Sequence, residues 1–363
     1  LRSWLAVWSR KWTRPGRLSP LSKAAFLRRL AAGGPLVGLA VLLVGVFFLS
    51  FFLGPYPVPP LLLLKVLLAQ VWSLPHTWSP TVEIVVLLVR LPRIVAAVLA
   101  GAALSVAGAA YQGMFRNPLV SPDILGVSAG ACFGAALAIY LSWGFLAIEV
   151  SSFSWGLLAV LLACLAASRV RHDPVLALVL SGILVGTLFS SALALIKYLA
   201  DPYDQLPAIT FWLMGGLGRV TLPQLKWMIA PVLLGVLPLF LLRWRLNVLS
   251  LGEEEARALG LNTAGLRLLV VFCSTLATAA TVAVSGMIGW VGLVIPHLAR
   301  ILVGPDYRRL LPASLLLGSS YLLLVDDLAR SLSVAEIPLS ILTSLVGAPF
   351  FFWLLLHTRR GWA

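Results

Sequence analysis

Residues 175–199 read VLALVLSGILVGTLFSSALALIKYL, with Lys197 as the single charge. A helix crosses the hydrocarbon core of a bilayer with about 20 mostly apolar residues, and this run exceeds that length. A buried strand takes only about 4–8 residues, and a membrane barrel strand alternates over roughly 10. The stretch reads as one membrane-spanning helix.

Working outward, similar runs recur at 35–53, 94–114, 124–142, 154–170, 224–243, 264–284, 289–303, 309–325 and 338–356. With 174–199 as the fifth, about ten spans follow. Composition agrees: 60% of residues are hydrophobic, 11% are charged, and mean hydropathy is +1.00. Soluble chains are roughly half apolar, and a greasier one exposes patches that aggregate. The sequence predicts an all-α polytopic membrane protein. The first run lies late, is long, and lacks a small-residue cleavage pattern, so it is not a signal peptide. Gly33-Gly34-Pro35 divides a basic arm, 1–34, from a transmembrane domain, 35–363.

Ten spans put both termini on one side. On this layout twenty of the 27 Lys and Arg residues share the side of the termini. The remaining seven are Lys65, Arg90, Arg93, Lys197, Arg219, Lys226 and Arg330. Positive residues stay inside, so both termini are expected in the cytoplasm. The formal charge of +14 is then a topology signal. It does not point to nucleic acid, because no separate soluble domain or aromatic-basic module accompanies it. In the arm, Trp4, Leu5, Val7, Trp8 and Trp12 recur at roughly helical spacing among Arg10, Lys11 and Arg14. Two readings stay open: an amphipathic segment on an anionic leaflet, or a disordered basic tail that enforces orientation.

Cys132, Cys164 and Cys273 are isolated in apolar runs, and His76, His172, His297 and His357 are scattered. Neither set has metal-ligand spacing. No phosphate-binding loop, nucleophile elbow or metalloprotease motif is present, so the chain is not expected to be an enzyme.

The punctuation is more informative. RLPR at 90–93 opens a span, since proline suits a first helical turn. In GAALSVAGAAYQGMFRNPLVSPDILGVSAGA, residues 101–131, Gly101, Ala102, Ser105 and Gly108 lie three and four apart. Small residues at that spacing let helix backbones approach closely. The helix must end near Arg116-Asn117-Pro118, and Asp123 can help cap the next. Pro296 breaks or starts a helix, and Gly304-Pro305-Asp306 makes a tight turn. One stretch is out of place: LSLGEEEARALGLNTAG, 249–265, is too polar for a bilayer and too short for a domain. Its length suits a small helix with Glu253, Glu254 and Glu255 in the first turn, where acids favour the helix dipole, and with Gly260 as the stop.

RLPR, QGMFRNPLVSPDILGVSAGA, LNVLSLGEEEARALGLN, GMIGWVGLVIPHLARILVGPD and LVGAPFFFWLL, in this order from Arg90 to Leu356, together resemble the membrane permease subunits of type II ABC importers. This is the iron-siderophore, haem and vitamin B12 uptake family. The resemblance implies that fold, with ten transmembrane helices, in a prokaryotic cytoplasmic membrane. It also implies a homodimer with the path between subunits, two cytoplasmic ATPase subunits that hold ATP and Mg, and an extracytoplasmic substrate-binding protein. No cofactor is expected in this chain; its other partner is membrane lipid.

On that resemblance the segment at about 250–265 is a coupling helix pair seated in a groove of the ATPase. Ala256 and Leu259 are the buried contacts and the glutamates, Glu253 and Glu254 among them, the charged rim; Arg257 and Gly260 belong to the same coupling segment. The alternative is a solvated loop helix with no partner. Arg90, Arg93 and Arg330 match positions that receive acidic residues of the binding protein, a role suited to the planar arginine fork. Alternatively they only snorkel to headgroups. The fifth span lines the path, with Ser181, Gly186, Thr187, Ser190 and Ser191 as its polar and small residues, although each position serves helix packing equally well. The span has no acid or histidine to hold iron and no basic ring for an oxyanion. The expected cargo is a ferric siderophore, haem or cobalamin; an oxyanion such as molybdate or tungstate is the alternative. An ion-driven secondary transporter would carry ionisable residues within the membrane. Here only Asp326 and Asp327 approach it, towards the outer end of the ninth span.

Overall fold

The computed structural model describes residues 20–357, except 55, 71, 73, 74, 76, 77, 171, 172 and 334. Most of the basic arm, His76, Arg171, His172, Arg359 and Arg360 therefore lie outside the described residues. Among these residues the chain forms fourteen helices and no strand. They are α1 Pro20–Ser50, α2 Pro60–Leu68, α3 Pro80–Met114, α4 Val127–Tyr140, α5 Phe145–Ala167, α6 Pro174–Leu199 and α7 Gln205–Leu213. There follow α8 Leu222–Leu241, α9 Arg243–Leu249, α10 Glu253–Ala258, α11 Thr263–Ser285, α12 Val291–Val303, α13 Tyr307–Ser331 and α14 Leu339–His357. Six of them, α3, α5, α6, α8, α11 and α13, are long and apolar enough to cross a membrane. Shorter apolar helices are residues 34–50 of α1, α4, α12 and Leu339–Trp353 of α14. Each of the ten runs read from the sequence falls on one of these ten helices.

The centre of the bundle is α3, packed against α8, α11, α12 and α13, with α4, α5 and α6 grouped beside it. Every residue from Ala100 to Phe115 is buried. The stripe of small residues explains this density. A Cβ on Gly101 would come within 2.2 Å of the Gly318 carbonyl oxygen on α13. Ser105 Oγ donates to the Ser314 carbonyl at 2.8 Å across the same crossing.

Two boundaries read at prolines differ from expectation. The basic arm was expected to break at Gly33-Gly34-Pro35, but α1 runs through Pro35. The span expected to open at RLPR instead begins at Pro80 and passes Pro92 through a π-helical stretch, Ile84–Arg90. Proline lacks the N–H for the carbonyl four residues back and crowds it. A wider π turn before it relieves that conflict. The other end matches expectation: α3 stops at Met114, and Arg116 turns the chain with φ 50°. Asp123 acts on the next helix through a hydrogen bond from the Ser128 hydroxyl, not from a backbone N–H.

Candidate functional site

Three regions hold the residues singled out above. The first is the connection from α8 to α11. Here α9 and α10 form two short helices at one end of the bundle. α9 is clasped to the start of α13: Asn247 Nδ2 donates to Asp306 Oδ1 at 2.7 Å, and Asn247 Oδ1 accepts from Tyr307 N at 2.8 Å. Partial burial pushes the Asp306 carboxyl up, but the Arg308 backbone, Asn247, and the charges of Arg308 and Arg309 outweigh it and hold it below its ordinary range. α10 ends as its sequence requires. Gly260 adopts φ 79°, Gly260 N donates to Arg257 O at 2.9 Å, and Leu261 N donates to Ala256 O at 3.0 Å. That is the left-handed glycine stop in which two orphan carbonyls find donors.

The residues on α10 divide differently from expectation. Glu253 is not a free rim charge: its carboxylate accepts from Arg257 Nη2 at 2.5 Å and from Arg267 Nη2, on α11, at 2.7 Å. It ties α10 to α11. Ala256 is 0% exposed, buried within the chain itself, whereas Leu259 is 61% exposed. Three residues apart suggested one shared face, but α10 ends at Ala258, so Leu259 leaves the helical track. Glu254, Arg257 and Gly260 are exposed. So are Leu241, Trp244 and Leu251, an apolar group at the same end that sequence reading passed over because these residues fall at helix ends.

The second region lies at the opposite end. Arg90, Arg93 and Arg330 are expected at an exposed docking surface; the structure buries all three, at 4%, 7% and 8% exposure. Each is occupied inside the chain. Arg93 grips Asp326 with Nε at 2.8 Å and Nη2 at 2.9 Å, and reaches Glu336 with Nη1 at 2.5 Å. Arg330 pairs with Asp327, and its Nη2 donates to Ser50 O at 2.5 Å. Ser50 Oγ donates to Asp327 Oδ2 at 2.6 Å. Arg90 donates to Phe51 O and Tyr56 O, pinning the chain that leaves α1. For Arg93 and Arg330 the physical reason for the burial is supply, since Asp326 and Asp327 on α13 provide charges that arginines otherwise seek outside; Arg90 is satisfied by backbone carbonyls.

The third region is α6. Thr187, Ser190 and Ser191 are exposed, and Thr187 Oγ1 donates back to Ile183 O at 2.8 Å. Ser181 is 7% exposed, so it does not share their surface. Gly186 packs towards Gly126, where an added Cβ would sit 3.6 Å from the Gly126 Cα. Of the five residues expected along a path, three present themselves.

One buried acid was missed. Glu149 is 5% exposed beside Phe153, Trp227 and Met228, and its Oε1 has no hydrogen-bond partner. The expected span began at residue 154, which left Glu149 outside it, but α5 starts at Phe145. No cluster of His, Cys, Asp and Glu suited to a metal ion occurs among the described residues.

With this geometry in view, the profile of the FecCD transport family matches residues 42–357. The molybdate import system permease protein of Haemophilus influenzae is 43% identical over 326 residues, 90% of this chain and 96% of that one. A Helicobacter pylori permease named for iron chelatin transport is 43% identical over 279 residues, covering 77% of this chain and 84% of that one. Among solved structures, an inward-facing metal-chelate type ABC transporter superposes with a TM-score of 0.79 at 43% identity, covering 88% of this chain and 98% of that one.

Proposed function

This chain belongs to the FecCD transport family of ABC importer permeases, and we propose that it forms, as a homodimer, the translocation path for a metal chelate delivered by a substrate-binding protein. The cargo read from the sequence is a ferric siderophore, haem or cobalamin, and the Helicobacter relative supports that class. The observation that carries the reading is the exposed hydroxyl set Thr187, Ser190 and Ser191 on a mostly apolar helix. Neutral hydroxyls let a wrapped cargo pass without holding it. A second reading, an oxyanion such as molybdate or tungstate, is favoured by the near full-length match to the Haemophilus permease.

Ten spans with both termini in the cytoplasm place α9 and α10 inside the cell. A cysteine at Ala258 should then resist an impermeant thiol reagent in intact cells, and one at Gln70 should react; the reverse pattern would invert the topology. Two ATPase subunits, which supply ATP and Mg, dock on the exposed apolar group of Leu241, Trp244, Leu251 and Leu259, with Glu254 beside it.

The decisive experiment is uptake of radiolabelled ferric chelate or molybdate into vesicles holding the importer and its binding protein. Accumulation of one and not the other identifies the cargo. In the same vesicles Leu259→Asp is expected to abolish ATP-driven uptake while leaving the permease stable, because a charge set in the ATPase groove would be buried unpaired. Ala256→Asp is expected to lower the stability of the permease itself, since Ala256 is already enclosed. Unchanged uptake with Leu259→Asp would remove Leu259 from the ATPase interface.

A further inference from the structure

We infer that Glu336 is an internal stand-in for an acidic side chain of the substrate-binding protein, and that docking proceeds by exchange: the partner's carboxylate takes Arg93, and Glu336 is released with the loop it holds. The inference rests on the reading of this chain as a permease that receives such a protein.

The network at this end contains three guanidiniums, Arg90, Arg93 and Arg330, and three carboxylates, Asp326, Asp327 and Glu336. Two of the acids are enclosed, Asp326 at 0% and Asp327 at 3% exposure. The side chain of Glu336 is 47% exposed. Arg90 and Arg330 also hold backbone carbonyls of Ser50, Phe51 and Tyr56, so exchanging their partners would unpin the end of α1. Arg93 differs. Its Nε and Nη2 clasp Asp326, leaving one nitrogen, Nη1, on one half-exposed carboxylate. That single bond is where an outside acid can enter without leaving a buried charge unpaired. Removing Glu336 from the network leaves it one positive charge in excess, which selects an acidic replacement.

What Glu336 holds gives the exchange a consequence. It lies between α13 and α14, on a segment stitched to the turn after α7. Leu339 N donates to Gly215 O at 3.1 Å, and Ser340 Oγ donates to Met214 O at 2.7 Å. Its carboxylate rests on Gly218: a Cβ there would be 2.4 Å from Oε2. Together these segments wall a cavity of about 280 Å³ lined by Phe211, Trp212, Arg219, Glu336 and Pro338. Releasing Glu336 frees the cavity wall shared by the end of α7, the turn after it and the connection that leads into α14. Docking and loosening of this wall are then one event, because the two carboxylates compete for the same guanidinium nitrogen.

An internal competitor lowers apparent affinity by the fraction of time it leaves the site vacant. Two variants remove it in different ways. Glu336→Gln deletes the charge. Gly218→Ala keeps every charge but fills the place where Oε2 rests, and the flexible carboxylate must move aside. The assay is titration of the importer, reconstituted with its ATPase subunits in nanodiscs, with its own substrate-binding protein at low and high salt. Both variants are expected to dock at least about threefold more tightly than wild type at low salt. They should lose affinity more steeply with salt, since an exposed pair is screened. Unchanged or weaker docking in both would overturn the exchange, whether because Glu336 is only a clasp or because a lipid phosphate fills its place. If the wild-type importer binds no such protein, the permease-docking reading itself falls, a result separable from failure of the exchange.

Discussion

Alanine in place of Arg93 is expected to leave little folded protein. Asp326 is 0% exposed, and its carboxylate is held by two nitrogens of Arg93, at 2.8 and 2.9 Å. Removing the arginine strands that charge inside α13. Breaking a buried pair from one side costs about 3–5 kcal/mol, set against a net stability of roughly 5–15 kcal/mol for a folded domain. Glu336 also loses its partner, but its half-exposed carboxylate returns to water at small cost. Arg93→Lys should fall between, because an ammonium cannot reproduce the two-nitrogen clasp. The double variant Arg93→Leu/Asp326→Leu should recover most of the loss, since a buried pair is often replaceable by apolar residues of similar volume. Thermal unfolding of the purified permease in detergent checks this. An Arg93→Ala protein that melts with the wild type would show that Asp326 is neutral or hydrated, and the network would lose its proposed weight.

The same residues show where sequence reading stops. Run length placed all ten apolar helices, because an uninterrupted apolar stretch has one backbone solution in lipid. The stop at Gly260 was legible because a left-handed glycine is local chemistry. The direction of a charged side chain was not legible. Arg93 and Asp326 are 233 residues apart in the chain, so an arginine at a helix end looked the same whether it faced headgroups, a partner protein or α13. Asp326 and Asp327 were noticed, and Asp327 stands at helical i,i+3 spacing from Arg330, but nothing in the sequence paired Asp326 with Arg93 on α3. Ala256 failed for a smaller reason: a helix of six residues, Glu253–Ala258, ends before its periodicity can assign a face. Glu149 was missed because the expected span began at residue 154, beyond it, while the helix begins at Phe145. In the structure it lies inside α5 with one oxygen unpartnered.

Gly108→Ala is expected to be as damaging as the loss of Arg93, by backbone sterics alone. A Cβ at position 108 would lie 1.9 Å from the Gly292 carbonyl oxygen and 2.8 Å from the Gly292 Cα. Non-bonded carbons are comfortable at roughly 3.5–4.0 Å, so α3 and α12 would have to separate by about 1.5 Å. Both sides of the contact are main chain, and no rotamer change relieves it. The Gly292 carbonyl is also special. Its helical donor would be the N–H of residue 296, which is proline, so this oxygen is free of the helix ladder and aims at the neighbouring backbone. Nor can α3 retreat, because its other crossing is as tight: a Cβ on Gly101 would lie 2.2 Å from the Gly318 carbonyl oxygen on α13. Overpacking usually costs about 1–3 kcal/mol; a backbone-on-backbone clash in the central helix belongs at or above the top of that range. Gly45→Ala supplies the control. Position 45 lies in α1 with nothing within 4 Å of its added Cβ, so the variant should gain the roughly 1 kcal/mol by which alanine exceeds glycine in a helix. The two substitutions add the same methyl group to the same kind of backbone, and their opposite signs would isolate the crossing as the cause. If Gly108→Ala melts as high as Gly45→Ala, the α3–α12 contact is looser than the structure has it, and the small-residue stripe read from the sequence is not what holds the bundle together.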